Sequence, residues 1–306
     1  MRRIAALLGR SPNTISREIR RNRVRGSYDP KKAHHKAYVR RKYAKYQGMK
    51  IVEHRILHKE IMQRLYDDQS PEAIAGRIRR NRIHPTISKD AIYRFIASVY
   101  GRRIEAHRLR RRTRRRRRHA NRPALTSRQF IDQRPKYIEQ RHRIGDAEAD
   151  FIVSGRNGHG ILLVVVNRRS RTTFLERITS VTIAEVHRAF QRIKKRFPEL
   201  KTITTDNDIL FAQHELLATI LNIRIFFCHP YHSWEKGTVE NTNKVIRRDI
   251  PKGSNLSRYS RRFIESLEKK LNRRPMKCLK YQMPHEVCIA HRDKQNKRHA
   301  HTRCPN

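Results

Sequence analysis

The chain has 306 residues, enough for two or three domains and for at least one sizeable buried core. Its 73 Lys and Arg residues stand against 27 Asp and Glu, a formal net charge of +46, so a polyanion, and nucleic acid above all, is the expected partner. A membrane is disfavoured: the longest purely apolar run, Ile161 to Val166, is far too short to span a bilayer, and the basic residues are not confined to one amphipathic helix.

Residues 1–60 read as a partial helix-turn-helix region. In "IAALLGRSPNTISREIRRN", Ile4, Leu7 and Leu8 make one apolar face and Gly9 ends the first helix. Ser11-Pro12 starts the next, because a serine oxygen accepts orphan N–H groups and proline suits the first turn. Ile15 and Ile19 face inward at i, i+4 spacing. Asn13, Thr14, Ser16, Arg17 and Arg20 are left outward, a set suited to base edges and phosphates in a major groove. The plainer reading is an ordinary helical hairpin with a basic face.

Residues 61–100 repeat the pattern. Ser70-Pro71 opens "PEAIAGRIRR", and Ser88 caps a helix whose Ile87 and Ile92 can form a hydrophobic staple. This is a second helix-turn-helix-like unit, or else a dimerisation or linker bundle. Residues 101–143 form an Arg-rich linker, with eight arginines in the nine positions from Arg110 to Arg118. No packed core holds that density of like charge, so Arg110, Arg111, Arg112, Arg114 and Arg115 are expected to lie along phosphates without reading sequence.

Residues 144–290 carry the apolar content. "DAEADFIVSG" alternates with a two-residue period, "HGILLVVVNRRS" is a continuous apolar run and "RTTFLERI" is β-branched and aromatic, which predicts three strands, the second buried on both faces. Thr182 and Glu185 form a capping box before a helix with Ile183, Val186, Phe190, Ile193 and Phe197 at helical spacing. "LKTITT" is a strand ending at Asp206, "QHELLATILN" a helix and "IRIFFCHP" a strand. The last helix is expected to be capped by Ser233, with Val239, Ile246 and Ile250 inside and Glu240, Lys244, Arg247 and Arg248 near one another on another face. The order βββ-α-β-α-β-α predicts a mixed α/β sheet flanked by helices. Residues 291–306 read as a polar, disordered tail.

The four cysteines, Cys228, Cys278, Cys288 and Cys304, show no C-x-x-C pair, so they are expected to be reduced and neither a disulfide framework nor a zinc site is predicted. None of the 17 histidines falls in an H-E-x-x-H context. No export leader precedes the first helix, and a cytosolic location is expected.

Asp150 on the first strand, Asp206 at a strand end and Glu240 on the last helix can meet at one point, the arrangement that holds hard divalent cations through oxygen ligands. A lone aspartate in so basic a chain is more often an ion-paired surface group. Period-two alternation also puts Asp146 and Glu148 on the face of Asp150, and the pattern alone does not choose among the three.

"TTDN" at a strand end, then "CHPYHSWEKGTVENTNKVIRR" with 33 residues between Asp206 and Glu240, then "IPKGSNL" and "LNRRP", resembles the DDE transposases of the insertion-sequence-30 family, and "GRSPNTISREIRRN" extends the likeness to the start. The resemblance implies an RNase H-like catalytic domain preceded by small all-α helix-turn-helix units. It also implies a Mg²⁺ or Mn²⁺ two-metal site, with Asp150, Asp206 and Glu240 as the catalytic triad and metal ligands. The implied partner is double-stranded DNA, both inverted repeats and target, acted on by a homo-oligomer that synapses two ends, with no membrane and no small-molecule cofactor. Three departures stand out. Ala147 and Ala149 replace an aromatic group and a glycine expected beside the metal site. Asp208 stands where the family commonly has Gly, and a Gly-like backbone is expected there. The family's leading helix would lie ahead of Met1. The competing readings are a truncated, impaired relative that only binds DNA as a repressor or inhibitor, and a coating protein without sequence preference, which leaves the acidic triad unexplained.

Overall fold

A five-stranded sheet organises the second half of the chain: β1 (Asp146–Val153), β2 (Ile161–Asn167), β3 (Thr173–Ile178), β4 (Thr202–Thr205) and β5 (Arg224–Phe227), in the order β3-β2-β1-β4-β5. The structure, a computed structural model, describes residues 1–24, 26–44, 49–109, 128–155, 158–229 and 232–301. β1, β2 and β3 form an antiparallel meander, and β4 and β5 add to the other edge of β1 in parallel. Each parallel step is bridged by a helix, α10 (Ile183–Arg196) before β4 and α11 (His214–Leu221) before β5. This is the mixed sheet of the RNase H-like fold.

β2 is buried at every position because helices cover both sheet faces. Leu163 and Val165 meet Phe190 and Ile193 of α10 in one apolar cluster, while Leu162, Val164 and Val166 meet Val239, Ile246 and Leu267 in another. The second face is covered by α12 (Gly237–Ile246) and α13 (Arg261–Asn272). Each fully buried aliphatic side chain there contributes about 1.5–3 kcal/mol relative to exposure. Thr182 Oγ1 accepts the Glu185 N–H at 3.2 Å, so α10 starts at its predicted cap.

The parallel register decides where the carboxylates go. Asp146 pairs with Thr202 and Glu148 with Thr204, and the same register continued by two residues sets Asp206 beside Asp150. Asp208, expected to need a Gly-like backbone, instead has φ −73° and ψ 141°, and its Oδ1 accepts the Leu210 N–H at 3.1 Å. It caps a short 3₁₀ turn, a role for which its short carboxylate is suited.

The N-terminal helices are α1 (Arg2–Leu7), α2 (Pro12–Asn22), α3 (Pro30–Ala44), α4 (Met49–Glu53), α5 (Arg55–Tyr66), α6 (Pro71–Arg80), α7 (Lys89–Ile96) and α8 (Arg102–Leu109). Gly9, at φ +58°, ends α1, and Ser11 accepts the Thr14 N–H at the start of α2. The apolar face expected on α1 is not a buried one: Ile4, Leu7 and Leu8 are 46%, 80% and 62% exposed, and Ala5 is the buried residue, because α2 approaches that side of the helix.

Ser70 and Ser88 accept the N–H groups of Ala73 and Ala91 at the starts of α6 and α7, and Ile87 and Ile92 are both buried. The boundary read at residue 60 falls inside α5, since Ile51 and Leu57 already belong to an apolar cluster that runs through Ile74, Phe95 and Ile104. The first residues of the expected linker are therefore helical and packed; Arg110, Arg111, Arg112, Arg114 and Arg115 lie outside the described residues. After α9 (Lys136–Glu139) the chain enters the sheet.

The expected disordered tail is helical at its start. α14 (Pro284–His301) carries Arg292, whose Nε meets Glu199 Oε1 at 2.7 Å, and this pair holds the helix against the sheet domain. The helical unit docks on the same region. Arg77 pairs with Glu286, and Lys270 Nζ lies 2.6 Å from Asp68 Oδ2. Among the described residues no helix is long and apolar enough to cross a membrane, and Cys228, Cys278 and Cys288 are free thiols. Cys304 lies outside them.

Candidate active site

Three acidic side chains leave β1 on one face, and their partners give them three roles. Asp146 is fully buried; Arg143 Nη2 donates to its Oδ1 at 2.6 Å and Thr202 Oγ1 donates to the same oxygen at 2.7 Å. It ties β1 to β4. Glu148 is 1% exposed, and its Oε2 accepts the N–H groups of Thr238 and Val239, each at 2.9 Å. A carboxylate at a helix N-terminus satisfies orphan donors and complements the macrodipole, so Glu148 fixes the start of α12. Asp150 alone turns to the strand end that carries Asp206.

The two aspartates converge on one cation. Lys236 Nζ lies 3.0 Å from Asp150 Oδ1 and 3.0 Å from Asp206 Oδ2, and Lys236 is 5% exposed. Burial pushes the Asp150 carboxyl upward, opposed by the Lys236 charge and reinforced by Asp206. For Lys236, burial alone acts downward, but Asp150 and Asp206 outweigh it and hold the ammonium above its ordinary value. Asn243 Nδ2 donates to Asp150 Oδ2 at 2.7 Å.

Glu240 stands between these two contacts in the helix. Positions 236, 240, 243 and 247 recur at helical spacing, and Lys236 and Asn243 both touch Asp150, so Glu240 is carried on the same face. It is half-buried, and no hydrogen bond or ion pair engages its carboxylate among the described residues. The three carboxylates are not drawn into one tight group: Asp150 and Asp206 meet through Lys236, with Glu240 one turn along α12.

Several expectations are corrected here. α12 starts at Gly237 with Lys236 as its cap residue, after a 3₁₀ turn, Ser233–Lys236, so Ser233 is not the cap. Ala147 and Ala149, expected beside the metal site, are fully buried in the cluster on the opposite face of the sheet, because alternate residues of a strand point oppositely. Arg247 donates to the carbonyls of Pro251 and Val153, and Lys244 is exposed on α12.

On α2, Asn13, Thr14, Arg17 and Arg20 are exposed, Ser16 is half-buried, and the Thr14 hydroxyl is 2.8 Å from that of Ser11. Sequence reasoning missed Lys236 and Asn243. Their signal was the spacing from Glu240, four residues before and three after, which puts all three on one helix face.

The residues fit a hard divalent cation. Asp150 and Asp206 already face one positive charge, and Asn243 Oδ1 is a buried oxygen without a hydrogen-bond partner among the described residues. Oxygen donors around a cation position are the set such an ion takes.

A family model of a helix-turn-helix domain matches residues 1–22. The transposase for insertion sequence element IS4351 of Bacteroides fragilis is 37% identical over 293 residues, covering 92% of this chain and 88% of that protein. The transposase InsI for insertion sequence element IS30A of Escherichia coli (strain K12) is 31% identical over 303 residues, covering 94% and 78%. Among solved structures, the catalytic core domain of BIV integrase is similar at 17% identity and a TM-score of 0.38, over 50% of this chain and 98% of that one. With identity at this level over nearly the whole length, the chain belongs to the insertion-sequence-30 family of transposases.

Proposed function

We propose that the chain cuts phosphodiesters at the ends of its insertion sequence and joins the freed 3′-hydroxyls to target DNA, using Asp150, Asp206 and Glu240. The observation that carries this reading is the convergence of Asp150 and Asp206 on one ammonium beside the helix that bears Glu240. Two bound Mg²⁺ or Mn²⁺ ions would supply activation of the attacking oxygen and stabilisation of the leaving one.

The protein's own groups do the rest. Asp150 and Asp206 would hold the cations, with Asn243 orienting Asp150 and Glu240 offering an unengaged carboxylate. Glu148 fixes the helix on which Glu240 and Asn243 ride. Lys244 and Arg247 are assigned to DNA phosphates. Asn13, Thr14, Ser16, Arg17 and Arg20 of α2 read the element ends, and Arg110, Arg111, Arg112, Arg114 and Arg115 track the backbone. Two ends must be brought together, so the working form is a homo-oligomer on DNA, acting in the cytoplasm at the nucleoid.

The test is a nicking assay with Mg²⁺ or Mn²⁺ on duplex DNA carrying the flanking inverted repeats, run beside Glu240→Gln. Metal-dependent cleavage by the wild type, lost in Glu240→Gln with DNA affinity kept, is expected. Equal cleavage by the variant would remove Glu240 from the site, and binding without cleavage by the wild type would favour a repressor.

A further inference from the structure

A second group of metal-ligating side chains lies one residue ahead of Lys236. His229 Nδ1 is 3.0 Å from Glu235 Oε1, and His232 Nδ1 is 3.1 Å from the same oxygen. Among the described residues this is the one trio of His, Cys, Asp or Glu whose ligand atoms all fall within 4.8 Å of one another. The H-x₂-H-x₂-E spacing is shorter than the histidine contexts usually associated with metals, so only the turn between β5 and α12 makes it a cluster.

We propose that His229, His232 and Glu235 form a zinc-binding site that fastens the turn before the catalytic helix to the chain segment entering the domain at Asp132.

Four observations support it. The first is the donor set: two imidazoles and a carboxylate are ligands of a borderline divalent ion, distinct from the all-oxygen set around Asp150 and Asp206. The second is spacing. Bonds of about 2.0–2.1 Å in a tetrahedral site put neighbouring ligand atoms about 3.3 Å apart, close to the separations seen here. The third is a carboxylate behind a ligand. His229 Nε2 lies 2.7 Å from Asp132 Oδ2, which sets Nε2 as the donor and leaves the Nδ1 lone pair for a metal, the carboxylate–histidine–zinc relay.

The fourth is that both rings are held. Phe130 stacks on His229 with centroids 5.4 Å apart, and Trp234 stacks on His232 at 4.4 Å. The His229 N–H also donates to Glu235 Oε2 at 2.9 Å, which orients the third ligand. Cys228 is not a fourth donor: it is 2% exposed, and burial pushes its thiol up to about 12. The remaining position is left to water, since all three ligands are partly exposed.

The site joins separate parts of the chain. Asp132 and Phe130 follow the Arg-rich segment, while Glu235 directly precedes Lys236, the cap residue of α12. Zinc bound here would stiffen the backbone from which Lys236, Glu240 and Asn243 project, and would release protons from the imidazoles on binding.

The test uses the full chain, stripped with a chelator and titrated with Zn²⁺ against a chromophoric competitor. One tight zinc per chain is expected, retained in Asp206→Asn. Affinity should fall by roughly 100-fold in His232→Ala and His229→Gln, and about tenfold in Asp132→Asn. His232→Cys, which keeps a zinc ligand, should restore tight binding, and Co²⁺ should show a tetrahedral absorption in the wild type that His232→Ala lacks. Circular dichroism verifies that each variant is folded. Zinc bound equally by wild type and His232→Ala, zinc lost on Asp206→Asn, or no tight zinc in the wild type would each overturn the proposal.

Discussion

Asp150 and Asp206 are held together by the ammonium of Lys236, which sits 3.0 Å from an oxygen of each. Two partly buried carboxylates side by side repel unless a cation stands between them, and in the metal-free protein Lys236 is that cation. Lys236→Met should therefore lower metal-free stability by about 3 kcal/mol, the cost of leaving buried charge uncompensated. Mg²⁺ should raise the melting temperature of the variant more than that of the wild type, since the ion no longer competes with the lysine. Thermal melts with and without Mg²⁺ check this, and equal shifts for both proteins would show that the lysine does not occupy the metal position.

Glu148 poses a different question, because it shares a strand face with Asp150 and could be mistaken for a metal ligand. Its Oε2 is taken by the N–H groups of Thr238 and Val239, and its Oε1 lies 3.5 Å from Arg168 Nε. Arg168 is 5% exposed, and burial with neighbouring positive charge brings its guanidinium down to about 10. Glu148→Ala would leave that buried cation and the helix donors unmet, an expected loss of about 3 kcal/mol in urea unfolding, while Glu148→Gln, which can still accept from the helix, should lose less. Glu148→Gln should bind Mn²⁺ at the Asp150 and Asp206 pair as the wild type does. A Gln variant that loses Mn²⁺ while staying fully stable would make Glu148 a ligand.

On α2 the exposed residues divide by chemistry. Arg17→Ala should weaken binding to every DNA sequence and reduce the slope of log affinity against log salt by about 1, as loss of one phosphate contact does. Asn13→Ala should relax sequence preference at one base pair, with a discrimination loss of about 1–3 kcal/mol and little change in salt slope. Salt-dependent binding on matched and mismatched repeats separates the two, and a uniform loss for Asn13→Ala would place it on the backbone.

The sheet was legible in the sequence because its strands announce themselves by period. Asp146, Glu148 and Asp150 alternate with buried Ala147 and Ala149, and the run from Ile161 to Val166 can only be a strand covered on both faces. The local pattern leaves Asp146, Glu148 and Asp150 open and only the family resemblance points to Asp150; the parallel register with β4, a long-range fact, is what sets that residue beside Asp206. The start of α12 was misplaced for a similar reason: its N–H groups are met by Glu148, some 90 residues earlier, and not by a local cap. α1 failed in the opposite sense. Its apolar spacing is real, yet spacing says only which residues share a face, and what covers that face is a tertiary matter.

Docking of the second helical unit should be pH-sensitive through one ion pair. Arg77 of α6 meets Glu286 at the start of α14, with Nη1 2.8 Å from Oε2, and Arg77 Nη1 also donates to the Tyr281 carbonyl at 3.3 Å. The hydrogen bond to Arg77 holds the Glu286 carboxyl below its ordinary value of 4.5. A carboxylate whose folded value is depressed adds stability that is fully present above 4.5 and is lost as pH falls through the lower folded value. Glu286→Gln should thus destabilise the protein at neutral pH by about 1–2 kcal/mol, and its melting temperature should converge on that of the wild type once the medium is acid enough to protonate the carboxylate. Because the pair bridges two units, limited proteolysis between α8 and β1 should also quicken in the variant. A wild type and variant whose melting curves stay parallel through the acid range would show that Glu286 contributes by packing and not by charge.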